Sequence, residues 1–245
     1  MTPRVEVIGV TGLPEVQPGD DLAALIAGQA ELRDGDVVVV AQKVVSKAEG
    51  RIRSLAEVRP GEAARRYAER LQADARVVQA ILDETVRIVR DERILIVQTR
   101  HGFVCANAGV DHSNVPGEDA VTLLPEDCDA SAAALRRRLG ELTGRTLGVI
   151  LADTFGRAWR MGITNVALGV AGVPALIDYR GRTDDFGQEL TVTVVAVADE
   201  LASAAELVMG KTDRVPVAIV RGYGPAEPAG TGRDLVRPAE LDLFR

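Results

Sequence analysis

The 245-residue sequence has too few cysteines and histidines for several common kinds of site. Its two cysteines are Cys105 and Cys128, and their separation matches no metal-binding or redox motif. The two histidines, His101 and His112, exclude a histidine-rich metal site. Because disulfides are rare in reducing compartments, we expect reduced thiols in a cytoplasmic protein.

Positive charge and long apolar runs are also in short supply. The chain has 29 basic and 36 acidic residues, a formal net charge of −7. Proteins that bind nucleic acid normally present a basic face, so we expect no nucleic-acid partner. The longest apolar stretch, 163–177, is interrupted by polar residues, glycines and Pro174, and it falls short of the roughly 20 apolar residues of a spanning helix. We therefore predict no membrane segment.

Two familiar catalytic fingerprints are missing, since neither Gly-x-Ser-x-Gly nor Gly-x-Gly-x-x-Gly occurs. Serine-triad chemistry and dinucleotide hydride transfer thus lose their usual support. Met209, Gly210, Lys211 and Thr212 look like the end of a phosphate-binding P-loop, but Ala205 stands where that motif has glycine. A helix is also predicted before this segment and a strand after it, the reverse of a P-loop. A loop that binds nucleotide in another way stays open.

The pattern that is present is typical of a globular α/β or α+β protein with mixed sheets, built as one large domain or two small ones. Hydrophobic residues make up 47% and aromatic residues only 3%, so the core must be mostly Val, Leu, Ile and Ala. Alternating or wholly apolar runs predict strands at 5–10, 37–41, 86–89, 94–98, 103–106, 146–152, 173–178, 190–198 and 215–221. Apolar spacing and capping residues predict helices at 22–30, 61–71, 75–84, 129–139 and 200–208.

Oxygen donors follow two of these strands. Asp111, Ser113 and Asn114 share a loop bounded by glycine and proline, which offers carboxylate and amide oxygens to a cation; the alternative is a local Asx-turn. Asp153 and Thr154 come directly after an apolar strand, at the end where ligands of α/β sheets gather. Carboxylate and hydroxyl oxygens suit Mg²⁺ or Mn²⁺. The alternative is an ordinary strand end with a helix cap.

Positive side chains follow the same kind of strand end. The segment 42–51 is predicted to extend a buried strand, so that Lys43 and Lys47 could face an anion, although lysines at strand exits are often simply solvated. Arg157 and Arg160 crowd one carboxylate in an acidic protein, and guanidinium groups bind phosphate or carboxylate in a bidentate manner. We assign them to a substrate carboxylate or phosphate.

Taken together, five blocks resemble the coenzyme F420:L-glutamate ligase family, also called F420-0:gamma-glutamyl ligase. The blocks occur in the family's order and the similarity covers roughly residues 5–223, so we assign a ligase domain at 1–222, with two subdomains as an alternative, and a C-terminal tail or linker at 223–245. The tail is similar to the stretch that follows the ligase domain in actinobacterial bifunctional members. The blocks are 12–15, 42–51, 107–114, 153–162, and 199–202 with 208–211.

The resemblance implies a family-specific α/β fold and an intertwined homodimer with active sites at the subunit boundary. It implies a ligase that joins L-glutamate to a deazaflavin precursor, with GTP as co-substrate, two Mg²⁺ or Mn²⁺ ions, and K⁺ as activator. GTP would phosphorylate a substrate carboxylate, and the amine of glutamate would displace phosphate from the acyl phosphate. Such chemistry depends on positioning and charge and needs no protein nucleophile.

By motif position, the resemblance implies that Asp111 and Asp153 hold one metal ion and that Thr154 holds a second. These two aspartates must therefore meet in space. The loop of Met209, Gly210 and Lys211 lies at a nucleotide position of the family, although archaeal members tend to carry an acidic residue where Lys211 stands. The remaining GTP contacts implied by the family are Leu13, Pro14, Glu15, Gln42, Lys47 and Asn114.

Two other functions fit the same residues. A metal- and nucleotide-dependent kinase or phosphatase acting on another anionic metabolite would use the same oxygen donors and cations. A non-catalytic module would use the loops to sequester a deazaflavin or a nucleotide. Formation of GDP only when glutamate is present separates the ligase from both.

Overall fold

The computed structural model describes residues 3–112, 119–224 and 228–242. The helices in this part of the chain are α1 (Leu22–Gln29), α2 (Gln42–Ala48), α3 (Glu62–Leu71), α4 (Ala75–Asp83), α5 (Cys128–Thr143) and α6 (Val197–Met209). The strands are β1 (Glu6–Val10), β2 (Val37–Ala41), β3 (Ile52–Ser54), β4 (Thr85–Arg90), β5 (Ile96–Thr99), β6 (Val104–Ala106), β7 (Ala120–Thr122), β8 (Gly148–Arg157), β9 (Arg160–Ala171), β10 (Ile177–Asp178), β11 (Val194–Val195) and β12 (Val217–Arg221). The mixture of helices and several sheets confirms the predicted α/β class.

A five-stranded sheet in the order β1-β12-β2-β8-β9 forms the larger core. Strands β2 and β8 pair in parallel, and the other neighbours are antiparallel. The valines of β2 are fully buried, as the apolar run predicts, because helices cover both faces of the sheet. Val38 and Val40 pack with α1 and α5, whereas Val37 and Val39 pack with α6.

A second core lies beside the first. The strands β4, β5 and β6 form an antiparallel sheet, which confirms the predicted meander, and β3 pairs with β7. Their apolar side chains pack against α3 and α4, with Leu95, Val97 and Val121 fully buried among them. Helices α3 and α4 begin and end within one residue of the predicted bounds.

Several predicted bounds are wrong. The segment 42–51 does not extend a strand, because the chain turns directly into α2 at Gln42. Strand β8 continues to Arg157 and turns into β9, which was not predicted, so Asp153 lies within a strand rather than after its end. The two strands predicted at 173–178 and 190–198 shrink to the two-residue β10 and β11, and α6 begins earlier than predicted, at Val197.

The C-terminal segment 228–242 packs against both cores. Asp129, near the start of α5, accepts hydrogen bonds from the backbone N–H of Gly232 at 2.6 Å and of Arg233 at 3.4 Å. A Cβ atom at Gly232 would lie 2.2 Å from the carbonyl oxygen of Leu168, so the close approach to β9 requires glycine. Val236 packs against a buried cluster that includes Phe103, Cys128 and Leu168. This segment is thus held against β9 and α5.

None of the helices in the described ranges is long and apolar enough to cross a membrane.

Candidate functional site

The two aspartates singled out from the sequence reach one place from different cores. Asp153 lies in the middle of β8 and pairs with Val166 of β9. Asp111 follows β6, and its backbone exchanges two hydrogen bonds with Thr122 of β7, at 3.1 and 2.8 Å, which fix its position. The negative charge of Asp111 acts on Asp153, so the two carboxylates lie within electrostatic range of each other.

Lys43 pairs with Asp111 and lies within electrostatic range of Asp153. Its Nζ donates to Oδ2 of Asp111 at 2.6 Å, and its positive charge also acts on Asp153. Burial raises the pKa of Asp153 to about 6, with Asp111 adding to the increase, while the backbone N–H of Thr154 and the ammonium groups of Lys43 and Lys211 oppose it. The site therefore holds a desolvated carboxylate whose negative form gains from any added cation.

Thr154 faces the other side of β8, because successive side chains in a strand point to opposite faces. Its hydroxyl donates to Oδ1 of Asn165 at 2.8 Å and accepts from Nζ of Lys211 at 2.5 Å. The same ammonium group pairs with Glu206 of α6 at 2.6 Å. Asp153 and Thr154 thus occupy two adjacent but separate positions.

The 209–211 segment is the end of α6 and not a P-loop. Met209 is the last residue of the helix, and Gly210 ends it with a φ of +58°. This φ lies in the left-handed region that side chains other than glycine rarely adopt, so the turn favours glycine. The order of helix then strand agrees with the sequence argument against a P-loop. The turn places Lys211 beside Thr154.

The residues fit a divalent cation shared with a phosphorylated ligand. In the described ranges no group of three or more His, Cys, Asp or Glu could form a complete metal cage. Asp111 and Asp153 would supply two hard oxygen ligands, and Mg²⁺ commonly uses one or two carboxylates with phosphate oxygens and water in its remaining positions. The opposite orientation of Thr154 is compatible with a second ion position.

The predicted nucleotide residues in 13–15 and α2 are also neighbours. Lys47 is 3% exposed and forms an ion pair with the exposed Glu15. Gln42 is buried at the start of α2, and Leu13 packs against the core cluster that includes Val45 of this helix. Pro14 is exposed between them. Asn114 lies outside the described residues, as does Ser113, so the structure gives no position for either.

Arg157 and Arg160 are not brought to the carboxylates within this chain. They lie at the exposed end of the β8–β9 hairpin, where Arg157 donates to the carbonyl of Met161 at 2.6 Å. Four residues of strand separate Arg157 from Asp153, a distance of about 13 Å along β8. Their assignment to a substrate anion stays a prediction.

The cysteines are unsuited to nucleophilic catalysis. Burial raises the pKa of both thiols to about 12, and the charge of Asp153 contributes to the increase at Cys105. Both side chains are free and buried. Since the thiolate is the reactive form, neither cysteine is activated at neutral pH.

Sequence motifs do not identify the contacts that three residues make in the site. Glu206 and Asn165 are placed by α6 and by the unpredicted β9, and the sequence carries no spacing signal that links them to Thr154. Lys43 was noted only as a member of a basic cluster, because its partner Asp111 is 68 residues away in the chain.

Comparisons with known proteins agree with the resemblance. The family model for F420-0:gamma-glutamyl ligases matches residues 11–222. The chain is 50% identical over 250 residues to a coenzyme F420:L-glutamate ligase of Methanothermobacter thermautotrophicus, covering 98% of this chain and 99% of that protein. It is 47% identical over 243 residues to the protein of the same name in Archaeoglobus fulgidus, covering 99% and 97%. For Methanopyrus kandleri the identity is 51% over 237 residues, covering 94% of each chain. The chain belongs to the F420-0:gamma-glutamyl ligase family.

Proposed function

We propose that the protein is a GTP-dependent ligase that adds L-glutamate to the deazaflavin precursor coenzyme F420-0, releasing GDP and phosphate. The observation that carries this proposal is that Asp111 pairs with Lys43 and that both charges act on the buried carboxylate of Asp153, whose chain neighbour Thr154 contacts Lys211. Two carboxylates with adjacent ammonium groups suit a reaction in which phosphoryl charge is redistributed. Relatives that are 50% and 47% identical are named coenzyme F420:L-glutamate ligase, which supports the glutamate-ligating part of the proposal.

The reaction has two steps. A carboxylate oxygen of the precursor attacks the γ-phosphorus of GTP, and GDP leaves. The amine of L-glutamate then attacks the carbonyl carbon of the acyl phosphate, loses a proton, and displaces inorganic phosphate to leave an amide bond. Both steps depend on holding anionic groups together, which matches a site rich in charges.

Each residue of the site has a task in this scheme. Asp111 and Asp153 hold one Mg²⁺ or Mn²⁺ ion and Thr154 a second, while K⁺ acts as an additional activator. When bound, the divalent ions offset the charge of the phosphate oxygens. Lys43 keeps the two carboxylates together before the ion arrives, and Lys211 offers a further positive charge on the Thr154 side.

The nucleotide is held by the pair of segments next to this point. Lys47 contacts the GTP phosphates, and the exposed carboxylate of Glu15 gives up part of its ion pair with Lys47 when the nucleotide binds. The turn of Met209 and Gly210 closes the other side. The full set of GTP contacts that we propose is Leu13, Pro14, Glu15, Gln42, Lys47, Asn114, Met209, Gly210 and Lys211.

We also propose that two copies of the chain form a homodimer through the β8–β9 hairpin. The end of the hairpin carries an exposed apolar patch, formed by Trp159, Met161 and Ile163, which are 86%, 93% and 60% exposed. Exposed apolar patches often mark protein–protein contacts. A second copy would cover these side chains and would bring Arg157 and Arg160 to the partner's site. The arginines would then bind a substrate carboxylate or phosphate across the subunit boundary.

The central experiment incubates the protein with GTP, MnCl₂, L-glutamate and the glutamate-free precursor. We expect GDP release together with a mass gain of one glutamyl residue on the precursor. GDP release without glutamate, with a stable phosphorylated product, would instead identify a kinase. No GDP release with authentic precursor would contradict the proposal.

The nucleotide assignment is tested with Lys47→Ala. We expect the KM for GTP to rise about tenfold, the size of a lost charge-assisted contact of roughly 1.4 kcal/mol, with less change in kcat. Arg65→Ala, on the exposed side of α3, is the control and should leave the KM for GTP unchanged. A KM for GTP within twofold of wild type would remove Lys47 from the nucleotide site.

A further inference from the structure

A cavity of about 350 Å³ lies between the three-stranded sheet, the β8–β9 hairpin and the C-terminal segment. Its apolar wall includes Phe103, Val104, Phe155, Val166 and Val236. Two of these are among the four phenylalanines of a chain in which aromatic residues are only 3%. Small-molecule sites are typically apolar clefts of about 300–1,000 Å³ with a few polar groups, and this cavity falls in that range.

The cavity opens on the same side of the hairpin as the catalytic carboxylate. Asp153 and Phe155 are two residues apart on β8, so their side chains share a face, and Val166 is the residue opposite Asp153 on β9. On strand β6, Val104 borders the cavity, whereas the side chain of its neighbour Cys105, on which the charge of Asp153 acts, points to the opposite face of that strand. A ligand that contacts Phe155 and Val166 in the cavity is within two residues of Asp153 along the hairpin, although Asp153 itself is not among the lining residues.

Several arginines line the far side of the cavity. A second opening of about 440 Å³ shares Gln98, Gly102, Val236 and Arg237 with the first. Arg237 lines both openings, Arg87 lines the first, and Arg100 and Arg233 line the second, where they are paired with Glu84 and Asp127 at 3.0 and 3.4 Å. Arginine side chains bind oxygen acceptors and stack on aromatic rings.

Two carboxylates, Asp199 and Asp242, are among the residues that line the cavity. Asp199, in the first turn of α6, lines the cavity and accepts a hydrogen bond from the backbone N–H of Ala167 at 2.8 Å. A carboxylate held in this way offers a fixed acceptor to a ring N–H. The cavity thus combines aromatic walls, carboxylate acceptors and arginine donors.

We infer that this cavity binds the deazaflavin ring of the precursor, with the carboxyl-bearing chain of the substrate directed to Asp153 and the outer, oxygen-bearing edge of the ring directed to Arg87 and Arg237. The inference rests on the proposed function and adds the subsite that selects the substrate. A flat tricyclic ring matches the size of the cavity, whereas the whole precursor does not fit in it. The reacting carboxyl group therefore extends out of the cavity towards the metal and nucleotide positions.

Two variants test the subsite without altering the carboxylate site. Val104→Trp places a large side chain at the mouth of the cavity, and Arg237→Glu reverses a charge on its rim. We expect the KM for the precursor to rise at least tenfold for Val104→Trp and about fivefold for Arg237→Glu, with the KM for GTP within twofold of wild type. The matched controls are Val86→Trp, on an exposed position of β4 in the same sheet, and Arg65→Glu on α3.

Direct binding separates this inference from the proposed function. The probe is the deazaflavin–ribityl fragment of the precursor without its acid, followed by its own fluorescence. We expect it to bind wild type and both controls and to bind Val104→Trp at least tenfold more weakly. If wild type forms product but both cavity variants keep the wild-type KM for the precursor, the ring lies elsewhere and the inference is overturned. If wild type shows no turnover but the fragment binds in a Val104-dependent manner, only the ligase proposal fails.

Discussion

The two ends of the β8–β9 hairpin belong to the same pair of strands but differ in solvent exposure. At the base, Ile150 and Leu151 are fully buried in the central sheet. At the tip, Trp159 and Met161 are almost completely exposed. Asp153 lies where burial gives way to exposure, in contact with both environments. A carboxylate at such a boundary is desolvated enough to attract a cation strongly and open enough for a substrate to reach it.

The largest effect is expected at the boundary itself. Asp153→Asn removes one carboxylate charge and should lower kcat/KM by about 10³-fold or more, because a lost metal contact removes several kcal/mol of transition-state stabilisation. Steady-state kinetics at saturating Mn²⁺ gives this ratio, and circular dichroism establishes that the variant is folded. Asp185→Asn, on an exposed loop, is the matched control. Near-wild-type activity of Asp153→Asn at low metal would remove this residue from the metal site.

The base of the hairpin is tested by stability. Ile150→Ala leaves a cavity between the sheet and α6 and should lower the free energy of unfolding by about 2–5 kcal/mol. The same change at the tip, Ile163→Ala, should cost less than about 0.5 kcal/mol in the monomer, because that side chain is 60% exposed. Urea unfolding measures both. Equal losses would mean that base and tip do not differ as described.

The tip is tested by association. Trp159→Ser combined with Met161→Ser removes the largest exposed apolar side chains of the hairpin and should weaken the proposed dimer at least tenfold, since a buried tryptophan is a common interface anchor. Light scattering after gel filtration reports the mass over a dilution series. Val86→Ser, on β4, should leave the mass unchanged. A dimer of wild-type strength in the double variant would place the subunit contact elsewhere.

The smallest effect is a pH dependence of stability at the boundary. Because burial raises the pKa of Asp153 from 3.8 to about 6, the folded metal-free protein binds this proton more tightly than the unfolded chain does. The contribution is fully present below about pH 4 and is lost as pH rises through 6. In chelator, wild type should therefore lose on the order of a few degrees of Tm relative to Asp153→Asn between pH 4 and 7. A difference that does not change with pH would contradict the raised pKa.

Local patterns predicted much of the fold. The buried valines of β2, the Asp21 cap of α1 and the β4–β6 meander all follow from periodicity and capping, which depend on neighbouring residues. Strand β9 was not predicted because Gly162, Thr164 and Asn165 break the alternation of apolar and polar residues. Thr164 and Asn165 are positioned by contacts with β8 and α6 rather than by a local sequence preference. Helix α2 was not predicted because it follows β2 without a turn residue and because its valines favour strands.

The candidate site was predictable only in part, for a similar reason. The sequence pointed to Asp111, Asp153 and Thr154 as oxygen donors at chain reversals, and the structure brings the two aspartates together. It could not indicate that Lys43 joins them or that Glu206 shares Lys211 with Thr154. These pairs depend on how two cores are arranged relative to each other, which no local pattern of residues encodes.

The close packing of Gly232 against β9 shows that residues after 222 contribute to the structure around the site. The family model ends at residue 222, although relatives of the family align with 98% and 99% of the chain, and the segment beyond residue 222 supplies Val236 and Arg237 to the wall of the cavity. Removal of the residues after 222 would leave the central sheet intact but would remove one wall of the cavity near Asp153. The chain would then need to be longer to select its substrate than to fold.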